Sequence, residues 1–523
     1  MLQRLSTKLI QYNGEKLHTL IEPLLEEVNP IIRIPEDYPS LYAVGEYLTT
    51  VSYDNQAVVV EVAAGTYRET KSLHEVFGTK FGNGRIQIVG KGVDVTTFEF
   101  LKCDGIYAGH GTCFGHAPQY PVSGGDIHPI FKNCTLSGIN RDDALDDPYK
   151  DAMGVRAFDG GLVVLDDTVR ITNFSRVGVM AERHGIAFTP GTKVDTTGSD
   201  CFAASEGGYI YAPNTIADSP KGHCYIGYSG GQLYMPNSQA KNAALHGNVG
   251  GSGLVLTGHS YAYAINLQVT GCAQRPVSVA MGSVARCDAL VEEGNSLPVS
   301  VSQNSTLFFP NAVIKKPSGQ LALLIEKGGE AYANIASQDK LEVTGRITAQ
   351  SMGILHAPNG TIANSSGNSL SVINSTVDVD RVTFTGAPAV AIYAQDGARV
   401  KCVNGSSETT SGSSIIAQNA EVSADNFRVG GNPSTGFRAN KGGRIFAKNA
   451  VVQQAGQYGY IADGLGAYID ASSSSCGNAF TGYKVLGGGQ ILATGAQPTG
   501  QYGDAAYNPV VNTPTNHLGI IAQ

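Results

Sequence analysis

The sequence predicts an all-β solenoid, a parallel β-helix with one coil of chain per 23 residues. Three observations carry that expectation. The first is a stretch, Val390 to Asp504, that repeats in register: blocks beginning at Val390, Ser413, Gly436, Gly459 and Gly482 follow one another every 23 residues without a gap. Gly436-Phe437, Gly459-Tyr460 and Gly482-Tyr483 coincide, as do Gly397, Ala420, Gly443, Gly466 and Gly489. Two residues on stand Arg399-Val400, Val422-Ser423, Ile445-Phe446, Tyr468-Ile469 and Ile491-Leu492. The second is a phrase in the first half, Gly207-Gly208-Tyr209-Ile210-Tyr211-Ala212-Pro213-Asn214, which returns 23 residues later as Gly230-Gly231-Gln232-Leu233-Tyr234-Met235-Pro236-Asn237. The third is what fills each block: short runs of Val, Ile, Tyr and Ala bounded by Gly, Asn, Ser and Asp. That is strand-and-turn chemistry, with no room for an ordinary helix. The Leu-x-x-Leu-x-Leu frame of a leucine-rich repeat, the hexapeptide pattern and the Gly-Gly-x-Gly-x-Asp calcium pattern are all missing.

Composition agrees. Charged residues are 15% of the 523, with 65 Gly and no Trp, which suits tight turns and stacked small side chains. A formal charge of −8 gives no reason to expect nucleic-acid binding. Nothing at the N-terminus resembles a signal peptide, and no apolar run approaches membrane-spanning length, so membrane insertion is not expected. Nine Cys without a Cys-x-x-Cys pair signal neither a full disulfide framework nor a zinc site, and no cofactor is expected. Buried reduced thiols inside the coil are the simpler reading.

Taken in order, residues 1–30 stand apart. Leu2, Leu5, Leu9 and Tyr12, then Leu17, Leu20, Leu24 and Val28, form two heptad-like stripes separated by Asn13-Gly14. They suit helices that pack on a partner or subunit, or that cap the first coil. Residues 31–100 open the solenoid: Ile31-Arg-Ile-Pro, a short helical stripe from Leu41 to Val51, then Ala57-Val-Val-Val-Glu-Val62 with Ala64-Gly-Thr-Tyr-Arg-Glu69, and Arg85-Ile-Gln-Ile-Val-Gly-Lys-Gly92. Within 93–160, the least regular part, His110, His116 and His128 lie near Cys103, Cys113 and Cys134, in no ligand spacing. Asp142, Asp143, Asp146 and Asp147 read best as a solvated loop. The body spans 101–500, with a slipped frame between about 300 and 370. Residues 501–523 read as a cover for the open end, whose strand edges would otherwise be unpaired.

In a 23-residue coil, side chains 23 apart sit on neighbouring coils about 4.8 Å apart, close enough for two carboxylates to act together on a glycosidic bond. Asp143 and Asp166, Asp159 and Glu182, and Asp195 and Asp218 have that spacing, while Glu182 and Glu206 differ by 24. With 44 acidic residues, chance alone yields such pairs, so the spacing supplies only candidates: Asp143, Asp166, Glu182, Asp195 and Glu206. His184 adds a base beside Glu182. A second signal is aromatic: Tyr209, Tyr211, Tyr225, Tyr228, Tyr234, Tyr261 and Tyr263 fall among Gly, Ser and Asn. An exposed Tyr offers an apolar face and a hydroxyl, which suits contact with sugar rings. Ordinary stacking along the coil is the competing reading.

The motifs of 31–92 resemble the start of the pectin-lyase-like superfamily, which implies a right-handed parallel β-helix and is nearly silent on activity. With the Gly-Tyr-x-x-x-Gly coils from 436 to 495 and the N-terminal helical segment, the chain resembles tailspike and tail-fibre proteins of tailed bacteriophages. That resemblance implies a homotrimer located in the virion tail, attached to other virion proteins through residues 1–30, which recognises or cuts bacterial surface polysaccharide. If bonds are broken, the expected chemistry is that of a glycoside hydrolase. A non-enzymatic fibre and a cellular polysaccharide lyase or hydrolase of the same fold are the alternatives. The chain departs from the better-known tailspikes in its very short head and in having no separate C-terminal trimerisation domain. No family catalytic motif transfers residue by residue.

Overall fold

The computed structural model describes residues 31–523 apart from 51–57, 74, 76–85, 102, 110–111, 115–128, 139–151, 247–248, 318, 365, 387–388, 410, 499–506, 509–518 and 523. The helical stripes of 1–30, the three histidines at 110, 116 and 128, and the acidic run 142–147 all lie outside the described residues.

What the chain builds is a parallel β-helix of about 23 residues per turn. Three sheets run its length, and each coil contributes one short strand to each sheet. Sheet I runs from Ile106–Ala108 and Val155–Phe158 to Thr481–Leu486 and Tyr507–Asn508. Sheet II runs from Cys113–Phe114 and Leu162–Val164 to Gln490–Leu492 and Ile520–Ala522. Sheet III runs from Gly65–Glu69 and Thr96–Phe100 to Gln497–Pro498. All pairings within the three are parallel, because every coil enters each sheet in the same direction.

Strands of three residues leave one side chain pointing in and two pointing out. On sheet II the inward series Val163, Ala187, Ile210, Leu233, Ala262, Ala285, Leu307, Ala331, Leu355, Val377, Val400, Val422, Ile445 and Ile469 is buried throughout. Inward aromatics stack coil on coil: Phe437, Tyr460, Tyr483 and Tyr507 have centroids 5.0, 4.9 and 5.2 Å apart. Their hydroxyls find partners inside, as Tyr483 does on Ser474 Oγ at 2.9 Å. Corners between sheets II and III need one left-handed residue per coil, and Asn supplies it at 214, 237, 266, 404, 426 and 449. Those amides bond to one another from coil to coil, Asn266 Nδ2 to Asn237 Oδ1 at 2.7 Å and Asn426 Nδ2 to Asn404 Oδ1 at 3.0 Å.

The opening motifs become what their pattern predicted. Ile31–Ile34, Val58–Val62 and Ile86–Val89 pair in parallel. Helix Leu41–Thr50 buries Leu41, Val44 and Leu48, the i, i+3, i+7 face. Its first turn is anchored where Leu41 N donates to the buried Glu69 carboxylate at 3.0 Å.

The gapless frame expected for 390–504 is corrected. Val400 is followed in register by Val422, Ile445, Ile469 and Ile491, so the spacing alternates among 22, 23 and 24. Corners absorb the difference. In Gly464-Leu465-Gly466 the extra residue is thrown outward, leaving Leu465 86% exposed. The slip near 300–370 is also real: Val313 pairs with Glu342, 29 residues on, and Glu342 with Thr361, only 19 on. Seven of the nine cysteines are buried, none is disulfide-bonded, and Cys103 and Cys113 are partly exposed.

Candidate functional site

Register decides which carboxylates can meet, and it separates two of the expected pairs while joining a third. Val155 pairs with Val179, a 24-residue coil, so Glu182 sits beside Phe158 and not beside Asp159. Its carboxylate is bound by Arg156, Nε to Oε1 at 2.7 Å. The next coil is 23 residues long, which sets Glu206 beside Arg183 (3.2 Å) and Ser205 above Glu182. Below Asp166 the coil is longer still, since Cys134 pairs with Val169. Nearer Asp166 the offset is 34, because Phe131 bridges Leu165, which sets Lys132 beside Asp166, Nζ to Oδ2 at 3.9 Å; Asp143 lies outside the described residues.

Asp195 and Asp218 are in register, as expected. The surroundings of Asp195 unfit it for acid catalysis. Burial would raise the Asp195 carboxyl, but the Thr172 hydroxyl, Arg170 and Lys193 together hold it below the usual carboxylate range. Arg170 grips it at 2.9 and 3.3 Å, and Lys193 Nζ lies at 3.2 Å. Asp218 accepts from Ser219 and Asn242 at 2.9 and 3.0 Å. His184 is a left-handed corner residue (φ 62°) whose ring lies against Gly207. These groups fasten coils together. Among the described candidates no general acid stands opposite a free nucleophile.

The aromatic residues divide differently. Tyr225 points inward and is fully buried, stacked on Phe202 at 5.0 Å with its hydroxyl on Thr215 Oγ1 at 2.9 Å. It is a core residue and leaves the list of surface candidates. Tyr228 lies on the outer face of sheet I against a small apolar cluster of Met153, Val177, Met180 and Ala203. Tyr209, Tyr211, Tyr234, Tyr261 and Tyr263 all project outward from sheet II, because each flanks the inward residue of its strand; two strands carry a pair, and Tyr234 shares its strand with Gln232.

One of the two outward positions of sheet II forms a continuous column. Val164, Phe188, Tyr211, Tyr234, Tyr263, Arg286, Phe308, Tyr332 and His356 succeed one another coil by coil. Phe188 to Tyr211 is 5.1 Å between centroids, and Tyr211–Tyr234 and Tyr234–Tyr263 are 5.0 Å each, the last two nearly coplanar in tilt at 5° and 2°. Arg286 continues the column with its guanidinium 5.8 Å from the Tyr263 ring, held by Asp288 at 2.7 Å. Above it Phe308–Tyr332 and Tyr332–His356 stack at 5.3 and 5.0 Å. Tyr332 donates its hydroxyl proton to Glu330 at 2.9 Å.

Ring faces in this column are spent on one another, so the ladder shows solvent ring edges and four phenolic oxygens, at Tyr211, Tyr234, Tyr263 and Tyr332, while Phe188 is buried at its lower end. Beside it, Tyr261 is 42% exposed and free of such stacking. Burial pushes the Tyr209 hydroxyl up to about 12, with Tyr211 and Tyr234 adding to the effect, and burial likewise raises Tyr211. The Tyr209 and Tyr211 hydroxyls are therefore neutral and able both to donate and to accept at physiological pH. Phe188, Phe308, Tyr332, His356 and Arg286 were not foreseen from sequence. A signal existed: an aromatic residue two places before Pro or Asn recurs in Phe188-Thr-Pro, Tyr211-Ala-Pro-Asn, Tyr234-Met-Pro-Asn, Phe308-Phe-Pro-Asn and His356-Ala-Pro-Asn.

No protein-family model and no curated protein sequence matches the chain. Solved structures that resemble it include the A-module of mannuronan C-5 epimerase AlgE6 of Azotobacter vinelandii, 12% identical over 90% of this chain and 99% of that one, with a TM-score of 0.23. The catalytic unit of a GH87 α-1,3-glucanase from Streptomyces thermodiastaticus is 11% identical over 92% and 69% (TM-score 0.25). The PL6 family alginate lyase AlyGC is 10% identical over 94% and 99% (TM-score 0.21). Likeness of this degree carries no residue roles and no activity to this chain.

Proposed function

We propose that this protein is a polysaccharide-recognising spike of the bacteriophage tailspike kind, which holds an extended glycan along sheet II. The observation that supports this is the outward ladder from Phe188 to His356. A solenoid core does not require aromatic side chains on its outer face, yet here they recur over successive coils, interrupted only by Arg286, and place hydroxyls on three consecutive coils at Tyr211, Tyr234 and Tyr263 and again at Tyr332. Ring edges along the ladder, with hydroxyls at one-coil intervals over Tyr211, Tyr234 and Tyr263, fit the alternating apolar and hydroxyl surfaces of a sugar chain lying parallel to the helix axis. In this reading the chain assembles as a homotrimer and joins the virion through residues 1–30. Recognition is favoured over hydrolysis, because the described candidate carboxylates are tied to Arg156, Arg183, Arg170 and Lys193.

Purified protein incubated with surface polysaccharides from a panel of bacteria tests this, with retention, product size and reducing ends followed together. Retention of one polysaccharide without shortening supports the reading. Retention of none refutes it. The second reading is a rigid structural spacer, favoured by the ring-on-ring stacking, which stabilises neighbouring coils with or without a ligand. A monomer by light scattering would sink the trimeric spike under either reading.

A further inference from the structure

The same coils that carry the top of the ladder depart from the regular cross-section, and the departure opens a groove on the next face. On sheet III the strands Val313–Lys315, Leu341–Thr344 and Gly360–Ala363 present Val313, Lys315, Glu342, Thr344, Thr361 and Ala363 to a shallow depression. These strands follow Phe308, Tyr332 and His356 directly in the chain, so groove and ladder lie on adjacent faces of the same three coils.

Two changes at the corners shape it. Between sheets II and III the usual four-residue corner, as from Tyr234 to Gln239, is lengthened to eight between Tyr332 and Leu341. Between sheets III and I the corner shrinks to Gly345 alone, in place of the six residues between Asp195 and Phe202. The long corner is fixed. The buried Asp339 carboxylate accepts from Ile335 N and Ala336 N at 2.9 and 2.6 Å and from Asn311 Nδ2 at 3.0 Å, and Lys340 N donates to Asn311 Oδ1 at 3.1 Å. Beneath the floor, Lys316 and Glu292 form a fully buried ion pair at 2.8 Å. Lys316 also donates to the carbonyls of Asn295 and Leu297 at 2.6 and 2.8 Å. Floor and wall are thus rigid before anything binds, which lowers the ordering cost of binding.

We infer that this groove binds a neutral, hydroxyl-rich sugar segment: a branch or side unit of the glycan whose main chain lies on the ladder. The inference rests on the polysaccharide reading above. Charge sets the ligand class. With Lys315 paired to Glu293, the exposed Glu342 leaves the groove slightly negative, which disfavours an anionic sugar and leaves a neutral one. Lys315 shares its charge with Glu293 at 3.7 Å, and Glu342 and Thr344 are exposed. A carboxylate acceptor, an ammonium donor and two threonine hydroxyls over a floor of Val313 and Ala363 match the mixed donor and acceptor pattern of sugar hydroxyls. There is no aromatic platform here, so contact is through hydrogen bonds and shape.

The test uses the polysaccharide that the wild-type protein retains from the panel, together with neutral oligosaccharides released from it by partial hydrolysis. Ala363→Trp fills the groove from an outward position without entering the core, and Glu342→Gln keeps its shape while removing the charge. Calorimetry is expected to show oligosaccharide binding weakened at least about tenfold by Ala363→Trp and about threefold to tenfold by Glu342→Gln. Unfolding midpoints should match the wild type. Unchanged affinity in a folded Ala363→Trp protein overturns the groove while leaving the polysaccharide reading intact. A wild type that retains no polysaccharide overturns both.

Discussion

Tyr234 stands mid-ladder between Tyr211 and Tyr263, each 5.0 Å away, and it separates recognition from scaffolding. Tyr234→Ala removes two ring-on-ring contacts of about 0.5–1.5 kcal/mol each, so it should cost about 1–3 kcal/mol of coil stability whether or not a ligand exists. Tyr234→Phe keeps both contacts and removes only the hydroxyl, so stability should change by less than about 0.5 kcal/mol. If the ladder hydroxyls contact sugar, the Phe variant loses one hydrogen bond in the complex, about 0.5–1.5 kcal/mol, which is roughly 2-fold to 12-fold in affinity. Denaturant unfolding and calorimetry with the retained polysaccharide measure the two quantities on the same samples. A Phe variant that binds as the wild type does, beside an Ala variant that is merely less stable, would refute recognition through the hydroxyl row and leave the spacer.

Other expectations concern the body that holds the ladder. Lys316→Met leaves Glu292 buried without its cation and frees two carbonyls, and should cost about 3–5 kcal/mol, with part of the loss recovered in Lys316→Met/Glu292→Leu; a single variant within about 1 kcal/mol of wild type in denaturant would contradict the buried-pair account. Asp195, with its carboxyl held below the usual value, contributes stability that is fully present above about pH 4 and is lost as pH falls through its lower folded value. Asp195→Asn should therefore be less stable by about 2–3 kcal/mol at pH 7, converging with the wild type in acid, and parallel pH profiles would count against this. Gly459→Ala places a methyl 2.7 Å from Gly482 O and against Cys476 Sγ, and should cost about 1–3 kcal/mol in thermal unfolding.

Much of the fold was legible in the chain because a solenoid repeats its physics every coil. Gly207 to Asn214 and Gly230 to Asn237 lie in register at the spacing read from sequence, and the opening strands formed where their alternation placed them. The exact spacing was not legible. Corners accept an extra residue at little cost when it points to solvent, as Leu465 does, and a shift of one residue exchanges neighbours. That is why Glu182 stands by Phe158 and not Asp159, and Glu206 by Arg183, whereas Asp195 and Asp218 do meet. Inward and outward faces were equally hidden for the tyrosines. Tyr225 heads a strand and turns into the core, whereas Tyr211 and Tyr234 flank an inward Ile or Leu and turn out. The ladder depends on one column maintained across coils of unequal length, which only register reveals.

Hydroxyl-radical footprinting of the intact protein, with and without the polysaccharide it retains, tests the central claim most directly. Oxidation of Tyr211, Tyr234, Tyr263 and Tyr332 is expected to fall when the polysaccharide is bound, while Tyr468, on the same face but beyond the ladder, stays unchanged. Protection confined to other faces, with these four tyrosines oxidised as in the free protein, would contradict it.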